Sequence, residues 1–237
     1  MQLKSFFSYS QFKKKYLTQD RKPFFQIAAN YINGNEKTIL DIGSGEAEFY
    51  SFLKDKGYNI NNLYLLDGNE TTVEKNKQLT ANSLFYLVPD KLPFADNSVE
   101  MIHMSHLTDC LEPNDLYSFL VEISRIIKTD GHIVISTPML WSTFYNDLSH
   151  TRPYNPFVFY KYFVKQDKST RYGKVPGDFE MVELVYRYTE LPLDEGWSSN
   201  VPVIDYLFIT FRRVLGRIGI KRLEKNGYTL VLKKINE

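Results

Sequence analysis

The chain has 237 residues, 43% of them hydrophobic and 15% aromatic, with 29 Lys and Arg against 28 Asp and Glu for a formal charge of +1. That composition supports a sizeable core and excludes a disordered chain, and the charge balance offers no broad field for nucleic acid. The single cysteine, Cys110, excludes a disulfide framework and a cysteine-rich zinc site.

The opening MQLKSFFSYSQFKKKY has no apolar leader region, and no run of about 18 apolar residues follows anywhere. The expectation is one soluble, cytoplasmic domain. Residues 5–32 read as helical, with a break near Pro23. Apolar runs then alternate with helical stretches. Strand patterns fall at 38–42, 62–67, 84–88, 98–105 and 132–137, and helical patterns at 47–57, 70–82 and 113–131. In the last of these, Leu116, Phe119, Leu120, Ile123, Ile126 and Ile127 form one stripe. This rhythm predicts an α/β fold with a mostly parallel sheet covered on both faces.

From Trp141 the texture changes to Tyr, Phe, Pro and Lys without a clean period, which suggests a lid or substrate element. Strand character resumes at 181–191, a helical face runs from Ile204 to Ile218, and a last strand is expected at 228–234. The single domain, 1–237, thus divides into a helical cap (1–35), a cofactor-binding core (36–140), a lid insertion (141–180) and C-terminal strands and helix (181–237).

The stretch TILDIGSGEAEFY, 38–50, carries the first chemistry. Gly43 and Gly45 let backbone approach a ligand closely where a strand turns into a helix. Asp41 stands just before them, where an acid would repel a pyrophosphate but suit a cationic end. Asp67 ends the next strand pattern and can accept both hydroxyls of an adenosine ribose. The pair fits an adenosine with a positive charge and no phosphate.

Together, ILDIGSGEAEFYSFL, LYLLDGNETTVEKNK, LPFADNSVEMIHMSHLTDCLE and EISRIIKTDGHIVISTP resemble the successive motifs of class I S-adenosylmethionine-dependent methyltransferases of the type 11 kind, over roughly 36–140. The resemblance implies a Rossmann-like, seven-stranded sheet with an antiparallel last strand, and S-adenosylmethionine as cofactor. It places Asp41 and the loop Gly43, Ser44 and Gly45 beside the methionine part, and Asp67 with the following Gly68 at the ribose. The third glycine of the family loop is Ala47 here. The acid that meets the adenine would fall at Val88 by strict spacing, and Asp90 is the nearest acid. Where many members read LEH, this chain reads TDCLE with Cys110 at the histidine position, leaving Ser105, His106 and Leu107 as cofactor neighbours.

Downstream, FYNDLSHTRPYNP resembles a D-x-x-H-x-R-P-Y segment of some methyltransferases of glycan and cell-surface biosynthesis. His150 is the candidate base or orienter of the acceptor, with Asp147 beside it; the alternative is an Asp147–His150 pair that pins the loop. Arg152 would clamp an acceptor carboxylate or phosphate, or else form a salt bridge within the lid, and Tyr154 and Tyr145 would stack on a sugar ring or simply pack. His103 reads as a satisfied core histidine and His106 as a second base candidate. No His, Cys and acid set has metal-ligand spacing, so no metal is expected. The acceptor implied is a small molecule, glycan or lipid-linked precursor, methylated on O or N.

The basic run 211–225 reads as a helix with an apolar face on the sheet, or as a patch for anionic headgroups at a membrane surface. No nucleic-acid partner is expected. Two rival readings share the fold. A nicotinamide-dependent oxidoreductase is opposed by Asp41 and by Glu48 where a third glycine would stand. A cofactor-binding protein without turnover is suggested by Val88 and Cys110.

Overall fold

Short buried strands joined by amphipathic helices must cross over the sheet, and the computed structural model shows the result. It describes residues 21–32, 37–139, 142–145, 147–165, 171–191, 203–204, 206–207, 210–211, 214 and 222–236. Strands β1 (Ile39–Ile42), β2 (Leu63–Asp67), β3 (Ser83–Phe85), β4 (Val99–Ser105), β5 (Ile127–Pro138), β6 (Asp178–Leu191) and β7 (Arg222–Asn236) form one sheet in the order β3-β2-β1-β4-β5-β7-β6. The pairs among β1 to β5 are parallel, and β7 runs antiparallel to β5. The seven-stranded, mostly parallel Rossmann-like sheet is as expected. Its order reverses between β1 and β4, and open α/β sheets bind ligands in the crevice at such a point.

The helices are α1 (Lys22–Ala29), α2 (Glu48–Asp55), α3 (Glu70–Lys77), α4 (Pro113–Ile126), α5 (Ser142–Tyr145) and α6 (Pro156–Phe159), the last continuing into a π turn at Tyr160–Val164. Pro23 sits in the first turn of α1, where its missing N–H loses no bond, so it begins this helix instead of breaking one. The side chain of Asn69 caps α3 by accepting from the N–H groups of Thr71 and Thr72. Phe25 of α1 packs on Phe49 and Phe52 of α2 at ring distances of 5.5 and 5.8 Å, and this layer covers β1.

The stripe on α4 buries Leu116, Phe119, Leu120, Ile123 and Ile126 as expected. Ile127 departs from it. Its backbone is extended and opens β5, so the helix ends five residues earlier than the pattern suggested. The β4–β5 register then shifts between Val99 and Met101, with Asp130 at a φ of 63°. A Cβ on Gly131 would lie 2.8 Å from the Lys128 carbonyl oxygen, so the bulge closes only around glycine.

By contacts the chain divides into two units, 20–185 with 227–237, and 1–19 with 186–226. In the second, Lys225 lies 3.8 Å over the ring of Tyr186. The described residues of 203–214 are helical, but Leu207, Phe211 and Val214 are exposed where the sequence pattern expected a covered face. The basic run is not helical to its end, because β7 begins at Arg222 and ladder pairing overrides the helix propensity of Leu-Glu-Lys. Arg212, Arg213, Arg217 and Lys221 lie outside the described residues, as do Phe6, Phe7, Tyr9 and Tyr16, the N-terminal aromatics that the sequence offers as a lid over the cofactor or as core.

Near the end of β7, Lys234 is 4% exposed. Its ammonium donates to Asn97 Oδ1 at 2.9 Å and to the carbonyls of Ser124 and Ile127 at 3.1 Å each. It thereby ties β7 to the junction of α4 and β5. Lys234→Met would leave those buried acceptors unpaired, at about 3 kcal/mol. Urea denaturation should show a lower midpoint with an unchanged slope.

Glu122 and His132 are among the groups that shape the response to acid. Arg125 hydrogen-bonds Glu122 and holds its carboxyl below the ordinary value of 4.5. Burial pushes His132 below its ordinary 6.5. Each binds its proton more weakly folded than unfolded, so stability is present above the unfolded values and is lost as pH falls through the folded ones. The melting temperature should therefore fall from pH 7 to pH 4, and Glu122→Gln should flatten the part below pH 5.

Candidate active site

The turn after β1 is built for close approach. Gly43 has a φ of 74° and Gly45 a φ of 48°, and the N–H groups of Gly43 and Ser44 both donate to the Leu66 carbonyl at 2.8 and 3.0 Å. A Cβ on Gly43 would meet Leu107 Cβ at 3.2 Å. Ala47, at the third glycine position, also adopts a left-handed φ of 55° and is fully buried at the start of α2. Asn76 of α3, only 1% exposed, donates to the Gly45 carbonyl at 2.9 Å and holds the turn from behind. Asn76 went unnoticed in the sequence; an Asn inside a helix was the available signal, since it is a weak helix former.

Asp67, at the end of β2, accepts from Gly45 N–H through Oδ2 and from Asn69 N–H through Oδ1, both at 2.9 Å. These bonds fix the carboxylate at the rim and leave further lone pairs for hydroxyl donors. A cavity of about 200 Å³ lies here between Asp67, Gly68, Val88, Leu107 and Leu111. Val88 lines it; Asp90 does not, and its N–H donates to the Leu87 carbonyl instead. The strict spacing was the better guide to this wall.

A second cavity, of about 330 Å³, shares Gly43 with the first and is lined by Asp41, Ser44, Gly45, Ser105, Glu46 and Arg21 among others. Asp41 is 3% exposed, and its Oδ1 lies 2.7 Å from His103 Nδ1. Strand register makes the pair, because Asp41 of β1 sits opposite His103 of β4. Phe49 lies against the His103 ring at 4.1 Å and Phe25 edges it at 5.9 Å. His103 is the satisfied core histidine expected, and its partner is the acid of the loop motif. Arg21, bridged to Glu48 at 3.2 Å, is a cation at this rim that no motif marked.

Beyond β4 a second cluster forms. His106 has a φ of 56° and donates its N–H to the Ser136 carbonyl at 2.8 Å. Asp109, on the 3-10 turn Thr108–Cys110, is fully buried and accepts from Thr137 Oγ1 at 2.9 Å. His150 Nε2 lies 2.8 Å from Asp109 Oδ2, and His150 Nδ1 lies 2.8 Å from the Phe144 carbonyl. The Asp109 carbonyl also accepts from the N–H groups of Thr151 and Arg152. The His106 and His150 rings stack at 6.5 Å. One ligand-type atom from each of His106, Asp109 and His150 lies within 4.8 Å of the other two, a convergence that sequence spacing did not suggest.

Asp147 has a different task from the one expected. Its Oδ1 accepts from the N–H and hydroxyl of Ser149 at 2.9 and 2.7 Å, which holds the carboxyl below its usual range. The acid beside His150 is Asp109. Tyr154 is 7% exposed; its hydroxyl donates to the Leu111 carbonyl at 2.9 Å, and burial pushes its pKa up to about 12. Its hydroxyl makes it a strut to the Leu111 carbonyl. Tyr145 is exposed. Burial, then Asp109, pushes the Cys110 thiol up, in keeping with a packed residue rather than a nucleophile. Arg152 and Tyr154 line a third cavity of about 610 Å³, with Tyr117, Tyr162, Arg171 and Tyr172.

Residues 40–135 match the family model described as a methyltransferase domain. The probable methyltransferase PMT19 of Arabidopsis thaliana is 32% identical over 109 residues, which is 45% of this chain and 17% of that one. The match thus spans about a sixth of that relative's length. A SAM-dependent methyltransferase from Archaeoglobus fulgidus superposes with a TM-score of 0.60 at 20% identity, covering 95% of this chain and 99% of the other. A geranyl diphosphate methyltransferase, solved in complex with SAM, superposes with a TM-score of 0.53 at 13% identity over 90% and 85% of the two chains. The fold is that of a class I methyltransferase. Within this methyltransferase fold, the two small cavities meet at the glycine turn that ends β1.

Gly43→Ala should strain the left-handed turn and push Leu107 aside, at about 1–2 kcal/mol for the backbone alone. A lowered melting temperature with unchanged far-UV dichroism is the expected outcome.

Proposed function

We propose that this chain is an S-adenosylmethionine-dependent methyltransferase that acts on an oxygen or nitrogen of a small-molecule, glycan or lipid-linked acceptor. The observation that carries the reading is the pair of cavities that share Gly43 in their walls. One has a carboxylate at its rim and apolar walls, as an adenosine requires. The other has acids and an arginine, as a zwitterionic amino-acid end requires. The missing Cβ at Gly43 gives the cofactor its passage between them, since any larger residue would close on Leu107.

Asp67 would accept the two ribose hydroxyls, with Val88 and Leu107 against the adenine and Gly68 beside them. Arg21 would meet the carboxylate of the methionine part, and Asp41, Ser44, Gly45 and Ser105 would surround its ammonium side. Phe25 and Phe49 would keep water from the Asp41–His103 pair. When bound, the cofactor supplies a sulfonium-borne methyl group, which an acceptor lone pair displaces in line. The chain's own work is then to hold the acceptor in line and to exclude water.

Of the two roles open to His150, pinning the loop suits its surroundings better, with Asp109 in place of Asp147 beside it. Both of its ring nitrogens face acceptors, so it acts as a positioning residue for the loop that follows, while His106 stands at the cofactor edge. Arg152 and Arg171, among the tyrosines of the cavity of about 610 Å³, suit an acceptor with a ring and an anionic group. That chemistry agrees with the glycan-type segment around His150. The acids at Asp41, Glu46 and Glu48 oppose a pyrophosphate and so the nicotinamide alternative.

Calorimetry with S-adenosylhomocysteine tests the reading. The wild-type chain should bind it, and Asp67→Ala should weaken binding by roughly 10- to 100-fold through two lost charge-assisted bonds. A thermal shift with NAD and none with S-adenosylhomocysteine would sink the proposal.

A further inference from the structure

We propose that His106, Asp109 and His150 form a binding site for a divalent transition-metal ion. Their ligand-type atoms converge within 4.8 Å although the residues come from the end of β4, a 3-10 turn and a distant loop. Nε2 of His150 and Oδ2 of Asp109 are 2.8 Å apart. Neighbouring ligand atoms sit roughly 3 Å apart around an ion that holds each at about 2.1 Å and at right angles.

The surrounding bonds aim these atoms. The Phe144 carbonyl can only accept, so His150 Nδ1 at 2.8 Å carries the hydrogen and donates. In the neutral ring that leaves the lone pair on Nε2, toward Asp109. A ligating histidine is characteristically held this way, by a carbonyl on its other nitrogen. Thr137 Oγ1 donates to Asp109 Oδ1 at 2.9 Å and thereby turns Oδ2 toward the histidine. His106 is set by its backbone, at a φ of 56° that residues other than glycine adopt only when their surroundings enforce it. The site is sheltered: the side chain of His150 is 7% exposed and that of Asp109 is 0%.

Two imidazoles and one carboxylate select zinc, iron, cobalt or manganese over magnesium or calcium, which prefer oxygen ligands. Three protein ligands leave coordination positions open for an outside oxygen. His106 follows Ser105, which lines the larger of the two joined cavities, and precedes Leu107, which lines the smaller. An acceptor oxygen on the ion would therefore stand at the cofactor edge with its proton acidified, a consequence that rests on the methyl-transfer reading. The site itself does not depend on that reading.

The test uses the full chain, stripped with a chelator and titrated with cobalt(II), followed by visible absorption, with zinc in competition and metal content measured after desalting. The expected result is one ion per chain with a d–d band. His106→Ala should weaken binding at least about 10-fold, and Asp109→Asn should abolish the band. If Asp109→Asn does not fold, His106→Ala and His150→Gln, checked by far-UV dichroism, decide the matter. Failure of the wild-type chain to retain cobalt or zinc at micromolar concentration would overturn the proposal, as would equal retention by His106→Ala and His150→Gln. A parallel titration with S-adenosylhomocysteine separates the two readings. Cofactor binding without metal defeats only the metal site, and metal without cofactor binding defeats only the methyl-transfer reading.

Discussion

The end of the sheet around the proposed acceptor side depends on one buried carboxylate. Asp109 takes a hydrogen bond from Thr137 at the end of β5, faces His150 through its other oxygen, and receives two backbone N–H groups on its carbonyl. A charge buried this deeply is tolerated only with such partners. The consequence is mechanical as well as electrostatic. The chain around Thr151 and Arg152 is tied to the turn after β4 through Asp109, and Tyr154 adds a second tie at the Leu111 carbonyl.

The proposed cofactor side is organised around a steric vacancy. Gly43 sits where β1 turns away from the sheet, with the Leu66 carbonyl on one side and Leu107 on the other. Asn76 and Asp67 then stiffen the turn through Gly45, one from its carbonyl and one from its N–H. The loop therefore reaches its shape before any ligand arrives, which reduces the ordering cost of binding. Asp41 contributes differently. Its pairing with His103 couples the loop to β4, so the two strands that flank the order reversal share one polar contact beneath the aromatic layer.

Much of the architecture was legible because buried parallel strands read as short apolar runs and α4 as a clear stripe. The misreadings have physical causes. Ile127 is apolar in either state, so nothing local marked the end of α4 before the bulge at Gly131. Arg222 to Lys225 favour helix by themselves, and only the ladder of β7 draws them into a strand. The tight turn at Gly43 and Gly45 was readable because its geometry is local. The partner of His150 was not. Asp147 was nearer in sequence and claimed the pairing, while Asp109 drew no notice beside Cys110. For Tyr154 residue type alone left a sugar platform and simple packing both open, and only the fold shows its hydroxyl bonded to the Leu111 carbonyl.

The placement of β7 has a consequence for biogenesis. β5 is an interior strand whose outer edge is satisfied only when Val134 meets Val231 and Ile135 meets Leu230. Everything between them in sequence is synthesised first. Until then β5 presents a long, apolar, unpaired edge to the cell, the kind of surface on which chains associate wrongly. Such non-local closure is also slow. The strands from β1 to β5 are thus synthesised while the sheet is still open, and chaperone demand should concentrate in that interval.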